Sequence, residues 1–177
     1  MQINEAISKR RSIRKFTGEL PDEENLKAII KAGEQAPVAM GKYGSFHMTI
    51  LTNKDLLNKI NEKAAAFFKN PKFNPLYDAP MLIIISAEKP APGLENSIYS
   101  SAACIVENMA LEAVEQNVGA CLIWGAIASI ANDQDILQAL NIPEGSIPCC
   151  GIVLGKSDMP YKERSIALDR IQINEVK

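Results

Sequence analysis

Seven residues, Lys9-Arg10-Arg11-Ser12-Ile13-Arg14-Lys15, closed by Phe16, hold five of the nineteen Lys and Arg side chains in a chain whose net charge is −2. Cations packed this closely repel one another, so the arrangement is best tolerated where a di-anion or a ring of carboxylates compensates them. Guanidinium groups offer forked donors that match phosphate oxygens, and Ser12 adds a neutral hydroxyl donor. The chemistry on offer is recognition of an anion. Spacing alone leaves a second reading equally open, a solvated helix end whose Lys and Arg complement the negative pole of the helix.

Other chemistries lack their residues. The chain has one histidine, His47, which reads as a packed strand residue, and no Ser/His/Asp or Cys/His constellation, so no catalytic side chain is assigned. Cys104, Cys121, Cys149 and Cys150 sit in apolar surroundings without C-x-x-C spacing, which predicts buried free thiols and no metal site. There is no G-x-G-x-x-G fingerprint for a resident dinucleotide. The near-neutral charge argues against nucleic acid and membrane surfaces as partners, because those need a broad basic face. Apolar runs are too short for a membrane span and Met1–Glu5 lacks a signal-peptide core, so a cytoplasmic location is expected.

The elements that must position the basic window follow from periodicity. At 177 residues, 47% of them hydrophobic, one domain covering 1–177 is expected. Ile3, Ala6 and Ile7 predict a helix over 2–10, with a turn at 12–16. Leu20-Pro21-Asp22-Glu23-Glu24 marks a helix start, with Asp22 as cap or first-turn residue and a buried stripe of Leu26, Ile29, Ile30 and Gly33. Strands are expected at 46–51, 81–86, 120–124 and 149–154, and helices at 53–67, 97–116 and 133–140. Lys69 to Pro80 is broken by Pro71, Pro75 and Pro80 and reads as loop. The 97–116 helix has apolar residues far beyond one stripe, which predicts burial nearly all round, part of it against a second subunit. The tail from Lys156 is aperiodic. The whole gives an α/β or α+β layered domain.

Arg-Arg-Ser-Ile-Arg-Lys-Phe after a short N-terminal helix resembles the opening signature of the nitroreductase family of FMN-dependent oxidoreductases. Further matches follow in the family's order: Gln35-Ala36-Pro37, Asp78-Ala79-Pro80, Asn108 to Ala113, Gly119 to Gly125, Gly155, and Lys162-Glu163-Arg164. The resemblance implies an α+β fold, a central mostly antiparallel sheet flanked by helices, and an intertwined homodimer with cofactor sites at the interface. It implies FMN as cofactor, NADH or NADPH as transient electron donor, and ping-pong hydride transfer through flavin N5 to a small-molecule acceptor such as a nitroaromatic or quinone.

Carried over by position, the resemblance puts Arg10, Arg11 and Ser12 at the ribityl phosphate end, joined by Lys162 and Arg164, and Arg14 at the N1/O2 edge of the ring. It puts the Trp124 and Gly125 backbone at the N5/O4 edge, and Asn74, with Asn70 as the alternative, at the polar edge. Pro37, Val38, Ala39 and Met40 match a loop that reaches the partner's flavin. Val38 stands where the family has serine and Gly41 where it has asparagine. That divergence motivates a competing reading, a flavin-binding sensor or carrier without efficient turnover.

Overall fold

The computed structural model describes residues 1–165, 167 and 170–177. Helix α1 (Ile3–Lys9) and helix α2 (Glu23–Glu34) are followed by two short 3-10 turns, Ala39–Gly41 and Tyr43–Ser45, and then strand β1 (Phe46–Leu51). Helix α3 (Lys54–Phe67) precedes β2 (Met81–Glu88), and α4 (Glu95–Glu115) precedes β3 (Gly119–Ile123). Two short helices, α5 (Gly125–Ile130) and α6 (Gln134–Ala139), lead into β4 (Ser146–Gly155).

The unbroken apolar runs take the middle of the sheet, whose order is β1-β2-β4-β3 with each neighbouring pair antiparallel. Successive side chains of a strand point to opposite faces, so a run such as Leu82–Ile85 needs cover on both. Ile83 and Ile85 pack with Ile29 of α2 and Ala102, Ile105, Val106 and Met109 of α4. Leu82 and Ile84 pack on the other side with Ile60 and Ala64 of α3, Ile127 and Ile130 of α5, and Ile136 of α6. The result is an α+β architecture, an antiparallel sheet between two helical layers. Pro148 has no N–H to give the ladder, and the β2–β4 register shifts beside it, where Ser86 opposes Pro148.

Helix starts follow local chemistry where a side chain is free to cap. Asn53 Oδ1 accepts from Leu56 N–H at 3.1 Å and Asp133 Oδ1 from Ile136 N–H at 3.1 Å. Asp22 holds the N-cap position of α2 without a side-chain capping bond. Its carboxylate pairs instead with Lys156, 2.9 Å away.

Helix α4 is only partly covered within this chain. It packs against α1, α2 and the sheet, while Tyr99, Ser100, Ala103 and Cys104 are exposed and Glu107, Asn108 and Leu111 are half-buried. These positions fall at helical spacing; Glu107 pairs with Arg10 and Asn108 Nδ2 donates to Ala32 O at 3.2 Å, while the four exposed residues form one open stripe.

The ends of β3 and β4 meet the N-terminal segment too closely for side chains. A Cβ added to Gly155 would stand 2.6 Å from Pro80 Cδ and 3.0 Å from Phe16 Cδ1. Neither ring can swing aside, so Gly155→Ala is expected to lower unfolding stability by about 1–3 kcal/mol, as overpacking does. A denaturant titration giving an unchanged midpoint would show that the junction relaxes.

Candidate cofactor site

The basic window is held by the single apolar residue inside it. Ile13 is fully buried, and its N–H donates to the Ala120 carbonyl on the outer edge of β3 at 2.8 Å. Thr17 N–H donates to Lys156 O at 3.0 Å, Lys156 N–H to Glu19 O at 2.9 Å, and Ser157 Oγ to Lys15 O at 2.6 Å. Residues 10–16 therefore run extended across the β3–β4 ends instead of forming the expected turn at 12–16. The stretch has no Gly, Pro or Asn to bend it, and its backbone groups find partners on the sheet.

Two charges of the window are compensated within the chain. Lys9 Nζ pairs with Glu5 Oε1 at 2.5 Å, and Arg10 Nε lies 3.4 Å from Glu107 Oε1 of α4. Among the described residues no carboxylate is within ion-pair distance of Arg11, Arg14 or Lys15, nor of Lys162 or Arg164.

The tail returns to the same place. Arg164 Nε donates to Ser8 O at the end of α1, at 3.4 Å. Tyr161 Oη donates to Val118 O at 2.9 Å, just before β3. Burial pushes the Tyr161 phenol up to about 12 against the opposing pull of Arg10 and Arg11, so it remains a protonated donor beside them. The structure thus brings Arg10, Arg11 and Arg164 to one end of β3, with Ser12 half-buried between them in sequence and Lys162 exposed.

At the other end of that strand lies a second group. The Arg14 guanidinium carbon stands 5.6 Å from the centroid of the Tyr77 ring, and Tyr77 first, then Cys121 of β3, raise its pKa above the ordinary value. Strand β3 stops at Ile123, so Trp124 lies outside it, preceding α5. Its side chain is 66% exposed and is not a core tryptophan. Gly125 packs under the 68–73 loop: a Cβ there would meet Phe68 Cε2 at 3.2 Å and Phe73 Cζ at 3.7 Å. Asn70 is exposed and its Oδ1 accepts from Lys72 N–H at 3.2 Å. Asn74 donates through Nδ2 to Asp78 Oδ1 at 2.7 Å, while its own Oδ1 is buried without a partner.

Pro37, Val38, Ala39 and Met40 are placed elsewhere. Ala39 N–H donates to Ser101 Oγ of α4 at 3.0 Å, and that hydroxyl donates to Ser97 O at 2.6 Å. Met40, at φ 56°, is 72% exposed. Ser101 and Glu107 are six residues apart, roughly 9 Å along the helix axis, and among the described residues no hydrogen bond joins this loop to the basic window.

His47 sits in β1 opposite Ser86. Burial pushes the Cys149 thiol to about 11 and the Cys150 thiol to about 12, which keeps both protonated and inert as nucleophiles. Among the described residues no group of three or more His, Cys, Asp or Glu could hold a metal ion, and no helix is long and apolar enough to cross a membrane. Sequence reasoning missed Tyr77, Ser101, Glu107, Cys121 and Tyr161 as neighbours of the site. Tyr77 and Tyr161 stand immediately before the Asp-Ala-Pro and Lys-Glu-Arg motifs, which was the available signal.

Comparison with known proteins identifies the family. The sequence profile of the Nitroreductase family matches residues 7–156. A protein of Methanothermobacter thermautotrophicus with the provisional name NADH dehydrogenase/NAD(P)H nitroreductase is 28% identical over 99% of this chain and 88% of its own length. The crystal structure of a Bacteroides fragilis nitroreductase with bound FMN superposes with a TM-score of 0.81 at 27% identity, covering 99% of this chain and 100% of that one. An FMN-bound nitroreductase structure from Desulfitobacterium hafniense has the same fold, with a TM-score of 0.83 at 21% identity and coverage of 99% and 100%. With the profile spanning most of its length and the fold repeated throughout, this chain belongs to the nitroreductase family.

Proposed function

We propose that the protein is an FMN-dependent oxidoreductase that takes hydride from NAD(P)H and delivers it to an oxidised small molecule such as a nitroaromatic or a quinone, the two substrates using one open face in turn. The observation that carries this reading is the convergence on β3 of cations from both ends of the chain, most of them without a carboxylate partner. Two such clusters in a protein of net charge −2 make sense around one anionic ligand. The donor set fits FMN: guanidiniums and a hydroxyl for a phosphate, and a lone Arg14 with a buried, unpartnered Asn74 carbonyl for a polar ring edge.

When bound, FMN supplies reversible hydride acceptance at its ring, chemistry that no side chain here provides. Arg10, Arg11, Ser12, Lys162 and Arg164 would hold its phosphate through charge-assisted bonds. Arg14 would stabilise negative charge on the pyrimidine side of the reduced ring. The backbone at Trp124 and Gly125 would meet its other edge, with Asn74 in preference to Asn70, whose oxygen is already used. Pro37, Val38, Ala39 and Met40, remote from the arginines within one chain, would line the site of a second subunit. The open stripe Tyr99, Ala103, Cys104 and Leu111 on α4 would be the dimer contact.

Anaerobic mixing of the FMN-loaded protein with NADH or NADPH is expected to remove the visible flavin absorption within seconds, with recovery on adding menadione. Persistent colour with both donors would favour a sensor or carrier. Arg10→Ala, with native circular dichroism, should weaken FMN binding at least tenfold, about 1.4 kcal/mol; unchanged affinity in a fluorescence titration would remove Arg10 from the site. Sedimentation should give a dimer, and a stable monomer retaining FMN would contradict the shared site.

A further inference from the structure

Tyr77 and Asp78 are consecutive non-glycine residues in the left-handed region, each at φ 55°. Side chains disfavour that conformation, and it persists only where surrounding contacts impose it. Here the contacts are identifiable. Tyr77 N–H donates to Asn74 O at 3.2 Å, Ala79 N–H to Leu76 O at 3.0 Å, and Asn74 Nδ2 to Asp78 Oδ1 at 2.7 Å. Leu76, buried, fastens the turn to α3 by donating its N–H to Asn61 Oδ1 at 3.2 Å. What the strained pair achieves is delivery of the Tyr77 ring to Arg14, 5.6 Å from guanidinium carbon to ring centroid.

A guanidinium can be held in two ways. A carboxylate engages its in-plane N–H donors, whereas an aromatic ring engages its face and leaves the donors available. Arg10 is held in the first way, by Glu107. Arg14 instead lies over the Tyr77 ring, and among the described residues no carboxylate competes for it. Tyr77 therefore fixes the cation without neutralising it.

We propose that Tyr77 is a positioning residue, presented by the strained 74–78 turn to hold Arg14 over its ring without a carboxylate partner so that the cation stays charged and directed at the flavin, and that this contact sets how strongly the reduced flavin is favoured. The inference rests on the FMN reading above. Its readout is the midpoint potential of bound FMN, measured by anaerobic dye-coupled titration of wild-type, Tyr77→Phe, Tyr77→Leu and Arg14→Met proteins. Tyr77→Leu is expected to lose about tenfold of the preference for reduced over oxidised flavin, a shift of about 30 mV to more negative values for a two-electron couple. Tyr77→Phe, which keeps the ring, should stay close to wild type. Should Tyr77→Leu lose native circular dichroism, Tyr77→Met, nearer in length to the original side chain, makes the same comparison. A shift in Arg14→Met with none in the ringless Tyr77 variant overturns the positioning role and leaves the FMN reading standing. No shift in either, with FMN bound, removes Arg14 from the ring edge and Tyr77 with it, and a wild-type protein that takes up no FMN ends both proposals.

Discussion

The burial of Ile13 is the constraint from which the site's geometry follows. Extended residues two apart place their side chains roughly 7 Å apart. At that distance two cations repel by about 0.6 kcal/mol in water and about 2.4 kcal/mol at a protein-surface dielectric. Burying one Ile contributes about 1.5–3 kcal/mol, with about 1 kcal/mol more from the bond to Ala120. The anchor therefore offsets one or two such pairs but not the whole window. Glu5 and Glu107 relieve Lys9 and Arg10. The remaining repulsion is what an anionic ligand would relieve, so the same cluster that strains the isolated chain favours the occupied one.

Convergence of the two termini has a cause in sheet topology. Strand β3 is an edge strand, and an edge presents unpaired backbone groups that need covering. Ile13 covers the Ala120 carbonyl from the N-terminal side, and Tyr161 covers Val118 from the C-terminal side. Each covering residue is flanked by basic ones: Arg11 and Arg14 around Ile13, Lys162 and Arg164 after Tyr161. Protecting one strand edge thus collects charge from positions some 150 residues apart, as the Arg164–Ser8 contact records.

Much of this was legible in the sequence, and the failures share a cause. The central strands β2 and β4 were readable because unbroken apolar runs admit few alternatives, and the starts of α3 and α6 because Asn53 and Asp133 are residue types that cap, and both do so. Asp22 looks equivalent and does not cap: its carboxylate is turned to Lys156, distant in sequence. Ser12–Phe16 was misread as a turn for a related reason: its backbone partners are distant in sequence, Ala120 on β3 and Ser157 just past β4. Helix α5 went unanticipated because, unlike the equally short α6, it has no capping side chain: Trp124 holds its N-cap position. The apolar breadth of α4 was plain, but composition cannot say which chain covers each side of a helix. In the site, the basic residues were readable by type, whereas Tyr77 depended on a backbone conformation that its side chain disfavours.

The spacing within the window also constrains what kind of anion fits. From Arg10 to Arg14 an extended chain covers as much as roughly 13 Å, and the two residues are held at their places by different neighbours, Glu107 on α4 and Tyr77 in the 74–78 turn. A compact ion such as phosphate could engage one end but not both. The Arg10, Arg11 and Arg164 end is dense in donors, which suits a localised double charge. The Arg14 end offers one cation over the Tyr77 ring and, in the same 74–78 turn, an unpartnered amide oxygen, and the exposed Trp124 follows the strand whose Cys121 flanks that cation. That pairing suits a planar group with both hydrogen-bond donors and acceptors and an edge on which charge develops. An elongated ligand with phosphate at one end and a polar aromatic ring at the other matches both requirements, and each end of the strand would fail alone.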